Sequence, residues 1–176
     1  MSGKLPVAVI GASRLAPSER PAEPLARRLG ASLPAGAVVV QTGACGGYPD
    51  ALAHGFRAGG GRVVGFSPAR DLAEHLAGGS PADACDELRY GWGGLIEREV
   101  ALIRQSQVVV ALGGNVGTLS ELCMAVKMER PIFIADGFPG ISGRFPALLA
   151  ELNVYPRPNV RVLPVETLAA AILERA

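Results

Sequence analysis

Two glycine-rich stretches hold the residues best suited to chemistry on an anion: Thr42-Gly-Ala-Cys-Gly-Gly-Tyr-Pro-Asp and Gly113-Gly-Asn-Val-Gly-Thr-Leu-Ser-Glu. Each follows a short β-branched run and precedes a segment of helical period. Glycines at such a junction let backbone amides approach a ligand with no Cβ in the way. The helix opening adds about half a positive charge, so each junction could seat a phosphate. Gly43 and Gly47 would present amides from the first stretch; Gly114, Gly117 and the amide and hydroxyl of Thr118 would do so from the second. Asn115 could donate to the same oxygens, or serve as a turn residue that tolerates positive φ. Neither stretch has the register of Gly-x-Gly-x-x-Gly, and neither ends in the Gly-Lys-Ser/Thr of a P-loop, so support for a dinucleotide or ATP site is weak. Tight strand-to-helix turns also favour glycine for purely structural reasons, but two such turns here follow strands expected to lie close together.

The elements that must position these loops are legible as an alternation. Apolar, β-branched runs occur at Val7–Ile10, Val38–Gln41, Val63–Phe66, Val108–Ala111, Ile132–Ala135 and Val160–Val162. Continuous rather than alternating hydrophobicity is what a strand covered on both faces requires. Between them, Pro21–Leu33, Pro49–Ala58, Gly94–Gln105, Leu119–Met128, Phe145–Leu152 and Thr167–Arg175 have helical spacing. Strand–helix alternation predicts an α/β fold: a doubly wound, mainly parallel sheet between two helical layers, with ligands gathered at the carboxyl ends of strands. Residues 76–92 fit no element and read as a long loop.

Composition narrows the function classes. In 176 residues, 49% are apolar and 19% charged, which predicts one globular domain over residues 1–176 with a substantial core. The net charge is +1, so a charge-driven nucleic-acid binder is not expected and any phosphate must be held by local geometry. Cys45, Cys85 and Cys123 form no Cys-x-x-Cys pair, which points to free thiols in the cytoplasm. His54 and His75 have no carboxylate or cysteine at ligand spacing, so no metal site is expected. The apolar run before Gly11 is too short for a signal segment or a membrane span.

Gly113-Gly-Asn-Val-Gly-Thr-Leu-Ser-Glu121 resembles the Pro-Gly-Gly-x-Gly-Thr-x-Glu-Glu signature of the LOG (Lonely Guy) phosphoribohydrolases, a group often labelled lysine decarboxylase-like that also includes molybdenum cofactor carrier proteins. Thr42-Gly-Ala-Cys-Gly-Gly and the Val63–Pro68 strand end extend the resemblance over roughly Val7 to Ile134. It implies a Rossmann-like domain, a dimer, a small phosphorylated ligand and no required cofactor, the bound molecule being an AMP-like nucleotide or a molybdopterin. By motif position it also implies that Arg98 and Glu121 flank the sugar and catalyse cleavage of the N-glycosidic bond of a nucleoside 5′-monophosphate. Gly113, Asn115, Ser120 and Glu99 depart from the enzyme pattern, which offers proline, glycine, glutamate and lysine there, and bring the chain nearer to the cofactor carriers. A non-catalytic carrier or sensor is therefore the alternative.

The chemistry behind those roles is simple. Glycosidic cleavage passes through a ribosyl cation, which a carboxylate such as Glu121 stabilises while accepting a proton from water. A guanidinium such as Arg98 can fix phosphate, hydroxyls or the leaving base. Both residues also have structural readings. Thr118-Leu-Ser-Glu121 is the spacing of a capping box, and Arg98, between Glu97 and Glu99, could lie on a solvated face opposite Leu95, Ile96, Leu102 and Ile103. Asp50 reads as a helix-start carboxylate and Cys45 as a small turn residue. Trp92 and Tyr90 read as core or dimer residues, or as stacking partners of a base. The 136–144 segment reads as a connection or a lid.

Overall fold

The computed structural model describes residues 3–154 and 158–174. Its strands are β1 (Leu5–Gly11), β2 (Val38–Thr42), β3 (Val63–Phe66), β4 (Glu87–Arg89), β5 (Val108–Leu112), β6 (Ile132–Ala135) and β7 (Val160–Leu163). Its helices are α1 (Glu23–Ser32), α2 (Gly47–Ala58), α3 (Leu72–Ala77), α4 (Leu95–Gln105), α5 (Val116–Lys127), α6 (Ile141–Glu151) and α7 (Val165–Leu173). All strand pairs are parallel, in the order β4-β3-β2-β1-β5-β6-β7. The chain is thus a doubly wound, Rossmann-like α/β domain.

Burial explains the apolar runs. Alternate residues of β1, Val7 and Val9, face a core completed by Leu29 of α1, Leu52 and Phe56 of α2, and Leu168 and Ile172 of α7. Ala8 and Ile10 face the other core, completed by Leu102 and Ile103 of α4, Leu122 of α5 and Phe145 of α6. At about 1.5–3 kcal/mol for each large apolar side chain removed from water, these two layers dominate the folding energy. The sheet reverses its order between β1 and β5, paired at Val9↔Val110 and Gly11↔Leu112. Such a switch point leaves a crevice at the carboxyl ends of the strands.

Two elements lie in or beside the stretch read as a loop. Helix α3 is capped by Asp71, whose carboxylate accepts the Glu74 amide at 2.9 Å. Strand β4 is a half-buried edge strand with one apolar residue, Leu88, so no hydrophobic run marks it. It is pinned from outside: the Asp86 carboxylate accepts the Val63 amide at 2.8 Å and pairs with Arg57 at 3.0 Å. Buried His75 joins the segment to β3, meeting Ser67 Oγ at 2.9 Å and the Pro81 carbonyl at 3.0 Å. Its Nε2–H must donate to that carbonyl, since a carbonyl oxygen only accepts. Helix α6 starts at Ile141, before the expected Phe145, and α7 runs from Val165 to Leu173; Arg175, the expected end of the last helix, lies outside the described residues.

Candidate functional site

Loops from the carboxyl ends of β1, β2 and β5 and the first turns of α4 and α5 enclose a cleft of about 420 Å³. Its walls include Gly11, Ser13 and Arg14 after β1; Gly43, Ala44 and Cys45 after β2; Leu95, Arg98 and Glu99 on α4; and Asn115, Gly117, Thr118 and Glu121 at the start of α5. The volume suits a small ligand such as a nucleotide.

Helix α5 begins at Val116 with Asn115 as its N-cap, three residues earlier than the hydrophobic period predicted. Gly113 and Gly114, at φ +60° and +86°, turn the chain into the helix directly. Thr118 therefore lies inside the first turn and is not a cap, so the capping-box reading of Glu121 does not hold. No side chain caps this helix, which leaves its first amides without an intrahelical partner, and Asn115, Gly117 and Thr118 of this opening line the cleft. The 136–144 segment is stitched to the same turn: the Ile141 and Ser142 amides donate to the carbonyls of Gly114 and Gly113 at 2.8 and 3.3 Å. It is a connection that braces the loop.

Glu121 points back to Arg98, whose Nη1 donates to its Oε1 at 3.2 Å across the cleft floor. Both side chains are nine-tenths buried, and Arg98 Nε has no partner. The solvated-face reading of Arg98 is thus reversed: α4 buries Arg98 and Glu99 and exposes Leu95 and Ile96 by 52% and 58%. A Cβ on Gly43 would collide with Arg98 Nη1, so that glycine makes the room for the guanidinium. Burial pushes the Glu121 carboxyl up to about 7; Arg98 opposes the shift and Glu99 adds to it. Glu99 is held by Ser120, whose hydroxyl donates to Oε2 at 3.1 Å.

The remaining expected residues separate. Gly117 and Thr118 line the cleft with Asn115 and Gly43. Gly114 lies behind them, where a Cβ would strike Thr118 Oγ1. Gly47, at φ +76°, packs on the Ala12 carbonyl, which also accepts the Tyr48 amide at 2.9 Å, so the opening of α2 is turned toward the β1 loop. Cys45 lines the cleft, but burial raises its thiol to about 11 despite Arg98, leaving it protonated at neutral pH and a poor nucleophile. Trp92 stacks on Phe66 at 5.3 Å and donates to the Arg89 carbonyl, outside the cleft. His54 does have carboxylate neighbours, Asp50 at 3.7 Å and Asp83 at 3.5 Å, the second supplied by the segment before β4.

Among the lining residues to which the sequence assigned no ligand role are Gly11, Ser13, Arg14 and Glu99. Gly11-Ala-Ser-Arg directly follows an apolar strand, and that position was the available signal for the first three.

A model of the SLOG cluster4 family matches residues 4–153. No curated protein sequence matches the chain. Among solved structures, that of TM1055 superposes with a TM-score of 0.81 at 24% identity, covering 98% of this chain and 99% of the other. The molybdenum cofactor binding protein from the phototrophic bacterium Rippkaea orientalis gives 0.77 at 22% identity, covering 99% and 98%. DNA processing protein A from Helicobacter pylori, solved for its single-stranded DNA binding, gives 0.62 at 18% identity, covering 97% and 80%. At these identities the likeness establishes the fold.

Proposed function

The chain belongs to the SLOG cluster4 family, and on that footing we propose that its cleft binds a nucleoside 5′-monophosphate and hydrolyses the N-glycosidic bond to free base and ribose 5-phosphate. The observation that carries this reading is the buried Arg98–Glu121 pair on the floor of a cleft that also receives the opening of α5. The phosphate sits at that opening, against the amides of Gly117 and Thr118 and the Asn115 side chain, with Arg14 on the rim. Gly43 seats Arg98, Gly47 packs on the Ala12 carbonyl and Gly114 on the Thr118 side chain, behind the cleft lining.

Ionised Glu121 lies beside the anomeric carbon and offsets the charge that develops there. Water adds its oxygen to C1′ as the C1′–N bond breaks and its electron pair leaves with the base. Glu121 takes one proton from the water, and that proton returns to the base nitrogen. A carboxyl near 7 is suited to both transfers. Arg98, whose Nη1 is committed to Glu121, engages the ligand's oxygens with the part of its guanidinium that lines the cleft. The test is incubation with AMP and a panel of nucleotides, reading ribose 5-phosphate. Release that Glu121→Gln abolishes supports the reading; binding without release removes the hydrolase.

A second reading, carriage of a molybdopterin-type ligand without turnover, is favoured by Glu99, Asn115 and Ser120, which stand where the enzyme pattern has lysine, glycine and glutamate. The Rippkaea orientalis structure supports it. Mass spectrometry of ligand retained through purification distinguishes the two. Either way, we infer a cytoplasmic protein, on its free cysteines, and a homodimer covering exposed Leu95 and Ile96. Nucleic acid is not a partner in this reading, since the net charge is only +1. Among the described residues no helix is long and apolar enough to cross a membrane.

A further inference from the structure

We propose that Glu99 selects ribose over 2-deoxyribose by accepting a hydrogen bond from the ligand's 2′-hydroxyl, an inference that rests on the nucleotide reading of the cleft.

The inner wall of the cleft carries two buried carboxylates, Glu99 and Glu121, against one buried guanidinium, Arg98. Arg98 commits Nη1 to Glu121. Glu99 has its donor elsewhere: Ser120 Oγ serves Oε2. The other oxygen, Oε1, lies beside Gly117, 3.9 Å from where a Cβ on that residue would stand. Gly117 thus keeps open the space beside an acceptor that a larger residue would narrow.

A buried carboxylate needs donors, and an ionised one can only accept. A phosphate brings negative charge and mostly acceptors, so repulsion disfavours it on the carboxylate wall and it lies on the Asn115 and Arg14 side of the α5 opening. The part of a nucleotide that offers donors to the inner wall is then the sugar, through its vicinal hydroxyls. A carboxylate on a ribose 2′-hydroxyl is a recurrent device in α/β nucleotide sites. Arg98, which lines the same wall beside Glu99, places a cation there that offsets one of the two carboxylates.

The experiment measures binding of AMP, 2′-deoxy-AMP and adenosine to the full chain and to Glu99→Gln and Glu99→Ala. The wild type is expected to prefer AMP over 2′-deoxy-AMP by about tenfold or more, the worth of one charge-assisted hydrogen bond. Both variants should bring that ratio to within about threefold while the preference for AMP over adenosine persists. Melting curves identify any variant that fails to fold, and Glu99→Gln, which keeps the shape and the Ser120 contact, serves if the alanine variant does. Equal binding of the ribo and deoxy forms by wild type, or discrimination that survives in the variants, overturns the inference and leaves the nucleotide reading standing. Absence of binding by either nucleotide overturns both.

Discussion

Arg98 Nη1 and Glu121 Oε1 meet at 3.2 Å although they stand twenty-three positions apart in the chain, and a position with no side chain, Gly43, lies beneath the guanidinium. Three elements thus converge on one buried ion pair: α4, α5 and the loop after β2. Breaking such a pair on one side leaves an uncompensated buried charge, which is costly, so the pair is poised to exchange partners with a ligand that supplies new ones.

The Glu121 carboxyl makes stability depend on pH. Its folded-state pKa is about 7 against 4.5 for the free group. Between those values the folded chain binds more protons than the unfolded one, so stability is highest below pH 4.5 as far as this group is concerned and falls as pH rises through 7. The melting temperature of Glu121→Gln should lose that decline between pH 5 and 8. A wild-type decline retained in the variant would place the titrating group elsewhere.

If Glu121 is the acid–base group, Glu121→Gln should reduce release of ribose 5-phosphate by about 10²–10⁴-fold with AMP binding largely retained. Initial rates over a range of AMP concentrations separate the two effects. A loss confined to KM would assign Glu121 to binding alone.

Gly43→Ala brings a methyl group into the guanidinium. Overpacking of this kind costs about 1–3 kcal/mol, and the displaced Arg98 should weaken nucleotide binding as well. Gly36→Ala, where an added Cβ meets nothing within 4 Å, is the control. Chemical denaturation of the two variants reads the difference; equal stability would show that Arg98 moves aside freely.

Arg14 is exposed at the rim, so its contribution to phosphate should be modest and screened. Arg14→Ala is expected to weaken AMP by roughly three- to tenfold at low salt and by less at high salt, with adenosine unaffected. Titrations at two ionic strengths test this. An equal effect on adenosine would make Arg14 a contact of the base or sugar.

The strands were readable because a strand covered on both sides has no choice of residue: every position of Val108–Leu112 is buried. The two glycine-rich turns were readable for a similar reason, since backbone shape restricts them. What escaped was set by tertiary contact. Glu87-Leu-Arg89 is an edge strand whose charged residues protect its free side, so it looks like loop. Leu95 and Ile96 looked like the buried face of α4, and the structure turns them outward because Arg98 and Glu99 are needed inside. Glu121 appeared equally suited to capping and to chemistry until Asn115 proved to be the cap. The spacing of α5 gave no warning of this, because its early start depends on positive φ at Gly113 and Gly114.

The most direct measurement is a crystal structure of the protein with AMP. The phosphate should lie at the opening of α5 between Asn115 and Arg14, with the ribose against the Arg98–Glu121 floor. Nucleotide bound with its base on that floor and its phosphate elsewhere, or no nucleotide in the cleft at saturating AMP, would contradict the account.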